Sequence, residues 1–147
     1  MDRFEEAVME YICSKPDCFI KTQMSLPWDD KNKIGGSLPD FVVLDFREKT
    51  VYIVEVTTAF NIKGILTKAS EREARWYRPI RNYEAAWVKN IVEWEFRVCL
   101  FLRDQLVDKA KKEACDWEDV SIISLNCTTN PWEWEWNNDN VPSNPLS

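Results

Sequence analysis

The chain has 147 residues, of which 45% are hydrophobic and 30% charged, a composition typical of one globular domain and not of a disordered segment. Its net charge of −6 argues against a broad electrostatic surface for nucleic acid, although a local basic patch remains compatible with it. The chain contains no histidine, which excludes Ser-His-Asp and Cys-His catalysis, histidine-ligated zinc and imidazole acid–base chemistry.

The first predicted element is an amphipathic helix over residues 2–13, ended by Lys15-Pro16. Its apolar stripe consists of Phe4, Ala7, Val8, Tyr11 and Ile12. A short strand is predicted over residues 19–25 and a loop over residues 26–36.

Residues 37–58 hold the most apolar part of the chain and predict two strands, over 41–46 and 51–57, joined by a polar turn. Glu55 interrupts the second strand with a carboxylate. A buried charge is costly unless something compensates it, and a metal ion or a shared proton are the usual solutions. Glu55 is therefore the first candidate for a functional residue.

The turn between these strands predicts which residues face each other. If it is centred between Arg47 and Glu48, either as a two-residue turn or as a four-residue loop, Asp40 faces Glu55. Opposed residues of an antiparallel pair share one face of the sheet, and a slip of one residue would separate them. Two such carboxylates repel each other unless they share a divalent cation.

Beyond residue 58 the apolar period changes to about 3.6 and predicts a long helix from Ile62 to Trp87, which Pro79 should kink or split near Tyr77. A strand over 96–102, a helix over 104–114 capped by Asp104 and a strand over 120–125 follow. The order α-β-β-β-α-β-α-β predicts an α/β fold with a mixed sheet flanked by helices.

Residues 126–147 read as a tail in which Trp132, Trp134 and Trp136 alternate with glutamates. An added edge strand is the favoured interpretation, and a docking peptide for a partner protein comes next. Base stacking is disfavoured because the glutamates repel phosphate.

Pro39-Asp40, a hairpin and Glu55-Val56-Thr57, preceded by a helix with a Phe-Glu pair, resemble the motifs of the PD-(D/E)xK nuclease superfamily. The resemblance covers about residues 2–125 and implies a restriction-endonuclease-like α-β-β-β-α-β core whose acidic pair binds Mg²⁺ or Mn²⁺. Thr57 stands where the family usually has lysine. Two branches of the superfamily share this change and have a lysine on the next helix instead. They are the cap-snatching endonucleases of segmented negative-strand RNA viruses and the endonucleases of non-LTR retrotransposons. Residues 54–58 and 77–80 are similar to both. The branch is left open.

The resemblance implies that Asp40, Glu55 and the carbonyl of Val56 hold the metal, together with an acid of the first helix. Among the acids of that helix, Glu5 lies beside the apolar stripe while Glu6 points nearly opposite to it, so Glu5 is the candidate. Thr57 shares a face with Glu55 and either orients a water or is an ordinary strand residue.

Lys68, Arg72 and Arg75 have the helical spacing of one cationic row. Lys68 is the candidate for the displaced catalytic lysine, and Arg72, which cannot act as a base, would neutralise charge. Arg75 and Lys63 would contact the substrate, with Lys31 and Lys33 as further phosphate contacts. The alternative is a solvated row that pairs with Glu71 and Glu73.

The sequence therefore predicts a divalent-metal-dependent endonuclease acting on DNA or RNA. The alternatives are an inactive nuclease-fold domain that binds nucleic acid or a protein, and an unrelated α/β interaction protein with a docking tail. Five scattered cysteines indicate reduced thiols in the cytoplasm or nucleus. The acidic N-terminal residues argue against a signal peptide, and no apolar run reaches the length of a membrane span.

Overall fold

A five-stranded sheet runs through the part of the chain that the computed structural model describes, which is residues 2–22, 24–26, 28–29, 34–35, 39–84, 88–129 and 146. The helices are α1 (Arg3–Cys13), α2 (Lys63–Ser70), α3 (Arg78–Glu84), α4 (Asp104–Glu113) and α5 (Asn126–Thr129), with a π-helical turn at Glu73–Tyr77 and a 3-10 turn at Ile91–Glu93. The strands are β1 (Cys18–Thr22), β2 (Trp28–Asp29), β3 (Ile34–Gly35), β4 (Phe41–Asp45), β5 (Thr50–Val56), β6 (Glu95–Leu102) and β7 (Val120–Ser124).

The sheet is mixed, with the strand order β1-β4-β5-β6-β7. Strands β1, β4 and β5 are antiparallel neighbours, whereas β5, β6 and β7 run parallel. Parallel neighbours need a crossover, which α2 and α3 provide between β5 and β6 and α4 provides between β6 and β7. The predicted α/β class with a mixed sheet flanked by helices is confirmed.

The predicted register of the central hairpin is also confirmed. Val43 pairs with Tyr52, and Asp45 pairs with Thr50. The connection is a four-residue turn over residues 46–49, in which Asp45 Oδ1 accepts hydrogen bonds from the backbone amides of Arg47 (3.1 Å) and Glu48 (3.0 Å). These bonds fix the turn, and the turn fixes the register.

Apolar side chains fill both faces of β4 and β5, which explains why these strands have continuous hydrophobic sequences. The larger core lies under α2, α3 and α4 and includes Val42, Leu44, Val51, Ile53, Leu66, Trp76, Ile80 and Val107. The smaller core lies under α1 and includes Val8, Ile12, Phe41, Val43, Val54, Phe101 and Leu146. Alternate residues of each strand thus belong to different cores, which decides where polar side chains point.

A buried ion pair joins the end of α1 to the hairpin. Lys15 Nζ lies 2.6 Å from Asp45 Oδ2, and the two side chains are 5% and 0% exposed. Lys15→Met leaves a buried carboxylate without its cation, so we expect the free energy of unfolding to fall by about 3 kcal/mol in urea denaturation. Glu48→Gln, which removes a 3.9 Å contact of Lys15 with an exposed acid, is the control and should change the stability by less than about 1 kcal/mol.

The double variant Lys15→Met/Asp45→Asn separates the charge effect from packing. It should recover much of the loss, because the remaining partner is then neutral. Equal losses for the single variants Lys15→Met and Glu48→Gln would contradict the role of this pair.

The structure differs from the predicted elements in four places. The loop at residues 26–36 contains the small hairpin β2–β3, and the first strand ends at Thr22. The long helix is interrupted at Glu71 and continues as a π-helical turn that ends directly before α3, where Pro79 lacks the amide proton that an α-helix would use. Asp104 does not cap α4, because its carboxylate accepts a hydrogen bond from the Ser124 hydroxyl at 2.9 Å instead.

The predicted tail begins as α5, and its Leu146 is buried in the smaller core. The tryptophan run at 132–136, whether an edge strand or a docking peptide, lies outside the described residues, as do Lys31 and Lys33. None of the five cysteines forms a disulfide. Among the described helices, none combines the length and apolar character needed to cross a bilayer.

Candidate functional site

Asp40 and Glu55 lie on the same side of the sheet. Glu55 continues the alternation of Val51 and Ile53, which belong to the core under α2, and Asp40 lies two residues before Val42 of the same core. The confirmed register, continued by one residue beyond Phe41 and Val54, places the two acids opposite each other. The arrangement predicted from the hairpin is therefore present.

The environment of Glu55 strongly favours the protonated carboxyl. The side chain is 8% exposed. Burial raises the pKa of Glu55 to about 8, and repulsion by Asp40 and a hydrogen bond with it contribute further, while the charge of Lys68 counteracts the shift. Near neutral pH the carboxyl of Glu55 therefore keeps its proton, unless another cation takes the place of that proton.

The end of β5 also offers a backbone oxygen. Thr57 donates its amide to the Phe101 carbonyl of β6 (3.0 Å), so the peptide groups of its neighbour Val56 point toward β4. There the Val56 amide donates to Asp40 Oδ2 (2.7 Å). The carbonyl of a strand residue points to the same side as its amide, so the Val56 carbonyl also faces toward β4.

Glu5 reaches the same acids from the first turn of α1. Its Oε2 accepts a hydrogen bond from the Asp2 amide (2.9 Å), and Asp2 Oδ1 accepts one from the Glu5 amide (2.8 Å), which forms a capping box. The bond from Asp2 lowers the pKa of Glu5, but burial together with a hydrogen bond to Asp40 and repulsion by it raises the pKa overall. Asp40 thus interacts with both of the other predicted acids, Glu5 and Glu55.

The predicted cationic row is split between two places. Lys68 stays within electrostatic range of Glu55. Arg72 instead forms a two-bond pair with Asp119, with Nε 2.6 Å from Oδ2 and the second nitrogen 2.7 Å from Oδ1. Arg75 lies 2.6 Å from Glu71. The interruption of the helix at Glu71 removes the regular spacing on which the row depended, and of the three only Lys68 is brought to the acids.

The Asp119 carboxylate organises a structural cluster, because the Tyr77 hydroxyl also donates to it at 2.7 Å. We expect Arg72→Met to lower the free energy of unfolding by about 2 kcal/mol, since charged hydrogen bonds of this kind contribute more than neutral ones. Affinity for Mn²⁺ should stay unchanged in isothermal titration. The exposed Arg78→Met is the control, with a stability change of less than about 0.5 kcal/mol. A weakened metal affinity in Arg72→Met alone would return this arginine to the site.

Two further predicted residues have local roles in the loop after β5. Thr57 Oγ1 accepts a hydrogen bond from the Ala59 amide at 3.1 Å. Lys63 begins α2 with an exposed side chain, and its amide donates to Asn61 Oδ1 at 3.0 Å. Thr57 thereby shapes the loop that leads to α2, and the lysine stands at its end.

This loop also carries a feature that the sequence analysis missed. Phe60 is 67% exposed, and the guanidinium of Arg103 lies 4.3 Å from its ring centroid. Arg103 also donates a hydrogen bond to the Thr58 carbonyl. No sequence pattern marks this pair, because the two residues are far apart in the chain and belong to loops.

Hard oxygen donors make up the candidate site: three carboxylates and the Val56 carbonyl. Across the described residues, no three acidic or cysteine side chains form a group arranged to hold a metal ion. In the candidate site, Asp40 accepts a hydrogen bond from the Val56 amide and also forms one with Glu55. Oxygen donors of this type are those that Mg²⁺ and Mn²⁺ prefer. The chemistry of the donor set therefore fits these ions.

Comparisons of the chain with models of protein families, with curated proteins and with solved structures found no match. Functional conclusions therefore rest on the residues and their geometry.

Proposed function

We propose that this protein is a divalent-metal-dependent endonuclease with a restriction-endonuclease-like fold, which hydrolyses phosphodiester bonds of nucleic acid. The observation that carries the proposal is the pair Asp40 and Glu55, opposed on one face of the sheet with Glu55 buried. Two adjacent acids in such a place oppose folding unless a cation or a proton lies between them. Buried, interacting acids of this kind are typical of functional sites.

Asp40, Glu55, the Val56 carbonyl and Glu5 would hold Mg²⁺ or Mn²⁺. When bound, the ion lowers the pKa of a water and offsets the charge that develops on the phosphate. The chain's own contribution is to keep the carboxylates oriented: the Val56 amide holds Asp40, and the strand pairing holds Glu55. Lys68 faces Glu55 and would attract the scissile phosphate to this edge of the sheet.

The fold supports the proposal through the order of its elements. Helix α1 is followed by antiparallel strands, and α2 and α3 cross over to the parallel strand β6, which agrees with an α-β-β-β-α-β core. Asp40 lies just before β4 and Glu55 near the end of β5, and the helix that follows β5 supplies Lys68 within electrostatic range of Glu55.

Titration with Mn²⁺ tests the metal site directly. The wild type should bind in isothermal titration calorimetry, and Asp40→Ala or Glu55→Ala should abolish binding. Glu6→Ala, an exposed acid on the same helix as Glu5, is the matched control and should bind like the wild type. Absence of wild-type binding would refute the proposal.

Cleavage assays then separate activity from binding. Labelled single-stranded RNA, single-stranded DNA and duplex DNA are incubated with the wild type and Mn²⁺.

An inactive nuclease-fold domain is the second candidate, and a specific observation favours it. Thr57 stands where the superfamily that the chain resembles usually has lysine, and its hydroxyl already accepts a hydrogen bond from the Ala59 amide. Metal binding without cleavage of any substrate would select that candidate.

Lys68 is the predicted electrostatic partner of the phosphate. Lys68→Ala should lower the cleavage rate by about 100-fold, the usual size for loss of one preorganised charge donor, and Lys68→Arg should retain part of the rate. Lys109→Ala, an exposed lysine on α4, should leave the rate unchanged. Rates are compared under single-turnover conditions, and a wild-type rate in Lys68→Ala would exclude the role.

A further inference from the structure

We infer that Phe60 is a stacking platform for an unpaired nucleobase, so that the preferred substrate is single-stranded nucleic acid. The inference rests on the proposed function and names its substrate class. It is carried by the loop between β5 and α2 and by Arg103, which follows β6.

Phe60 has 67% of its surface exposed, more than any other large hydrophobic side chain among the described residues. Large aromatic side chains normally gain free energy by burial, so an exposed ring has a surface available for a partner. The ring is held because the guanidinium of Arg103 lies 4.3 Å from its centroid.

Arg103 is itself fixed. Its Nε donates to the carbonyl of Thr58, two residues before Phe60, and its backbone directly follows the buried end of β6. The guanidinium has further donor hydrogens beyond this bond, and they suit a phosphate oxygen. An aromatic ring with an arginine behind it combines the two elements of single-strand binding, a stacking face and a cation for the backbone.

The platform and the acid pair belong to neighbouring parts of the chain. Phe60 is five residues beyond Glu55, at most about 17 Å along an extended chain. Lys63 and Lys68 follow in α2, so the segment after Phe60 carries positive charge. Asp104, the acid next to Arg103 in the sequence, accepts a hydrogen bond from Ser124. A nucleotide stacked on Phe60 would therefore guide its neighbours toward the acid pair.

Stacking on a protein ring requires a base whose face is open. In a duplex the bases stack on each other, and taking one out costs a few kcal/mol, whereas a single strand offers its bases at little cost. Phe60 therefore favours single-stranded over duplex substrates, whether RNA or DNA.

Binding measurements test this inference without depending on cleavage. Fluorescence anisotropy of a labelled single-stranded oligonucleotide is recorded with the full-length Glu55→Gln protein, with and without a second substitution. Phe60→Ala should weaken binding by about 10- to 100-fold, the range found for loss of one base–aromatic stack, and Phe60→Trp should restore it. Phe19→Ala is the matched control, because Phe19 is 62% exposed and lies in β1, the edge strand that pairs with β4.

Oligonucleotides with abasic positions provide a second control. They should bind the Glu55→Gln protein as weakly as the intact strand binds the Phe60→Ala variant, and duplex affinity should be the same with and without Phe60. Equal single-strand affinity for the Phe60→Ala and Phe19→Ala proteins would overturn the stacking role even if the wild type cleaves nucleic acid. Conversely, a loss specific to Phe60→Ala in a protein that cleaves nothing would retain the platform and reject the nuclease.

Discussion

Glu55→Gln is expected to lower the rate of phosphodiester cleavage at least about 1,000-fold while the protein stays folded. The amide has the shape of the acid but carries no charge, so it cannot neutralise a divalent ion or hold it firmly. Because Glu55 lies beside Asp40 in a buried site, water cannot take over the lost ligand as it would at the surface. The measurement is single-turnover cleavage with saturating Mn²⁺, accompanied by circular dichroism to verify the fold.

The controls for this prediction come from the same region. Asp40→Asn should lose activity to a similar extent, and Glu6→Gln should retain it. The Asp40→Asn and Glu55→Gln changes together should cost little more than either alone, since residues that act on one ion are not additive. Activity within tenfold of wild type in Glu55→Gln would exclude this acid from the reaction.

The metal-free protein is expected to lose stability as the pH rises from about 4.5 to about 8. The pKa of Glu55 is near 8 in the folded protein and near 4.5 when the side chain is in water, so in this interval the folded state holds a proton that the unfolded state has released. The favourable contribution is complete below pH 4.5 and is lost as the pH passes through 8. Its full size is about 5 kcal/mol.

Denaturation in urea at pH 5 and pH 8 with a chelator present measures this effect. Glu55→Gln should show a much flatter pH dependence and should be more stable than the wild type at pH 8. Mn²⁺ should stabilise the wild type at pH 8 far more than the variant, because an ion that binds only the folded state raises its stability. The same pH dependence in wild type and variant would contradict the assignment of this shift to Glu55.

Glu55 is thus expected to lower the stability of the metal-free folded protein while being required for cleavage. The substitution that removes activity should relieve the folded protein of a buried negative charge. Acids kept at a cost in stability are typical of functional sites.

The central hairpin could be predicted from sequence because its strands have clear limits and a polar turn. The position of the polar turn between two continuous apolar strands sets the register of Phe41–Asp45 with Thr50–Val56. Strands β2 and β3 could not be predicted, because two residues each carry no usable periodicity. The pairing of Arg72 with Asp119 could not be predicted either, because it joins residues 47 positions apart in the chain.

In the candidate site, the acids could be predicted and the cations only in part. Asp40, Glu55 and Glu5 follow from strand register and from the helical stripe, both of which are local patterns. Arg72 and Arg75 depended on an uninterrupted helix and are bound elsewhere. No sequence pattern marks Phe60, because the sequence does not show whether a phenylalanine in a loop will be buried or exposed.

The carboxylate of Glu5 has two roles at the start of α1: it accepts a hydrogen bond in the capping box, and it is a proposed metal ligand. Oε2 of Glu5 holds the Asp2 amide, and the helix begins where it does because of this bond. A metal ion held by Glu5 would compete with the Asp2 amide for this carboxylate. The start of the first helix and the proposed metal site therefore depend on the same side chain.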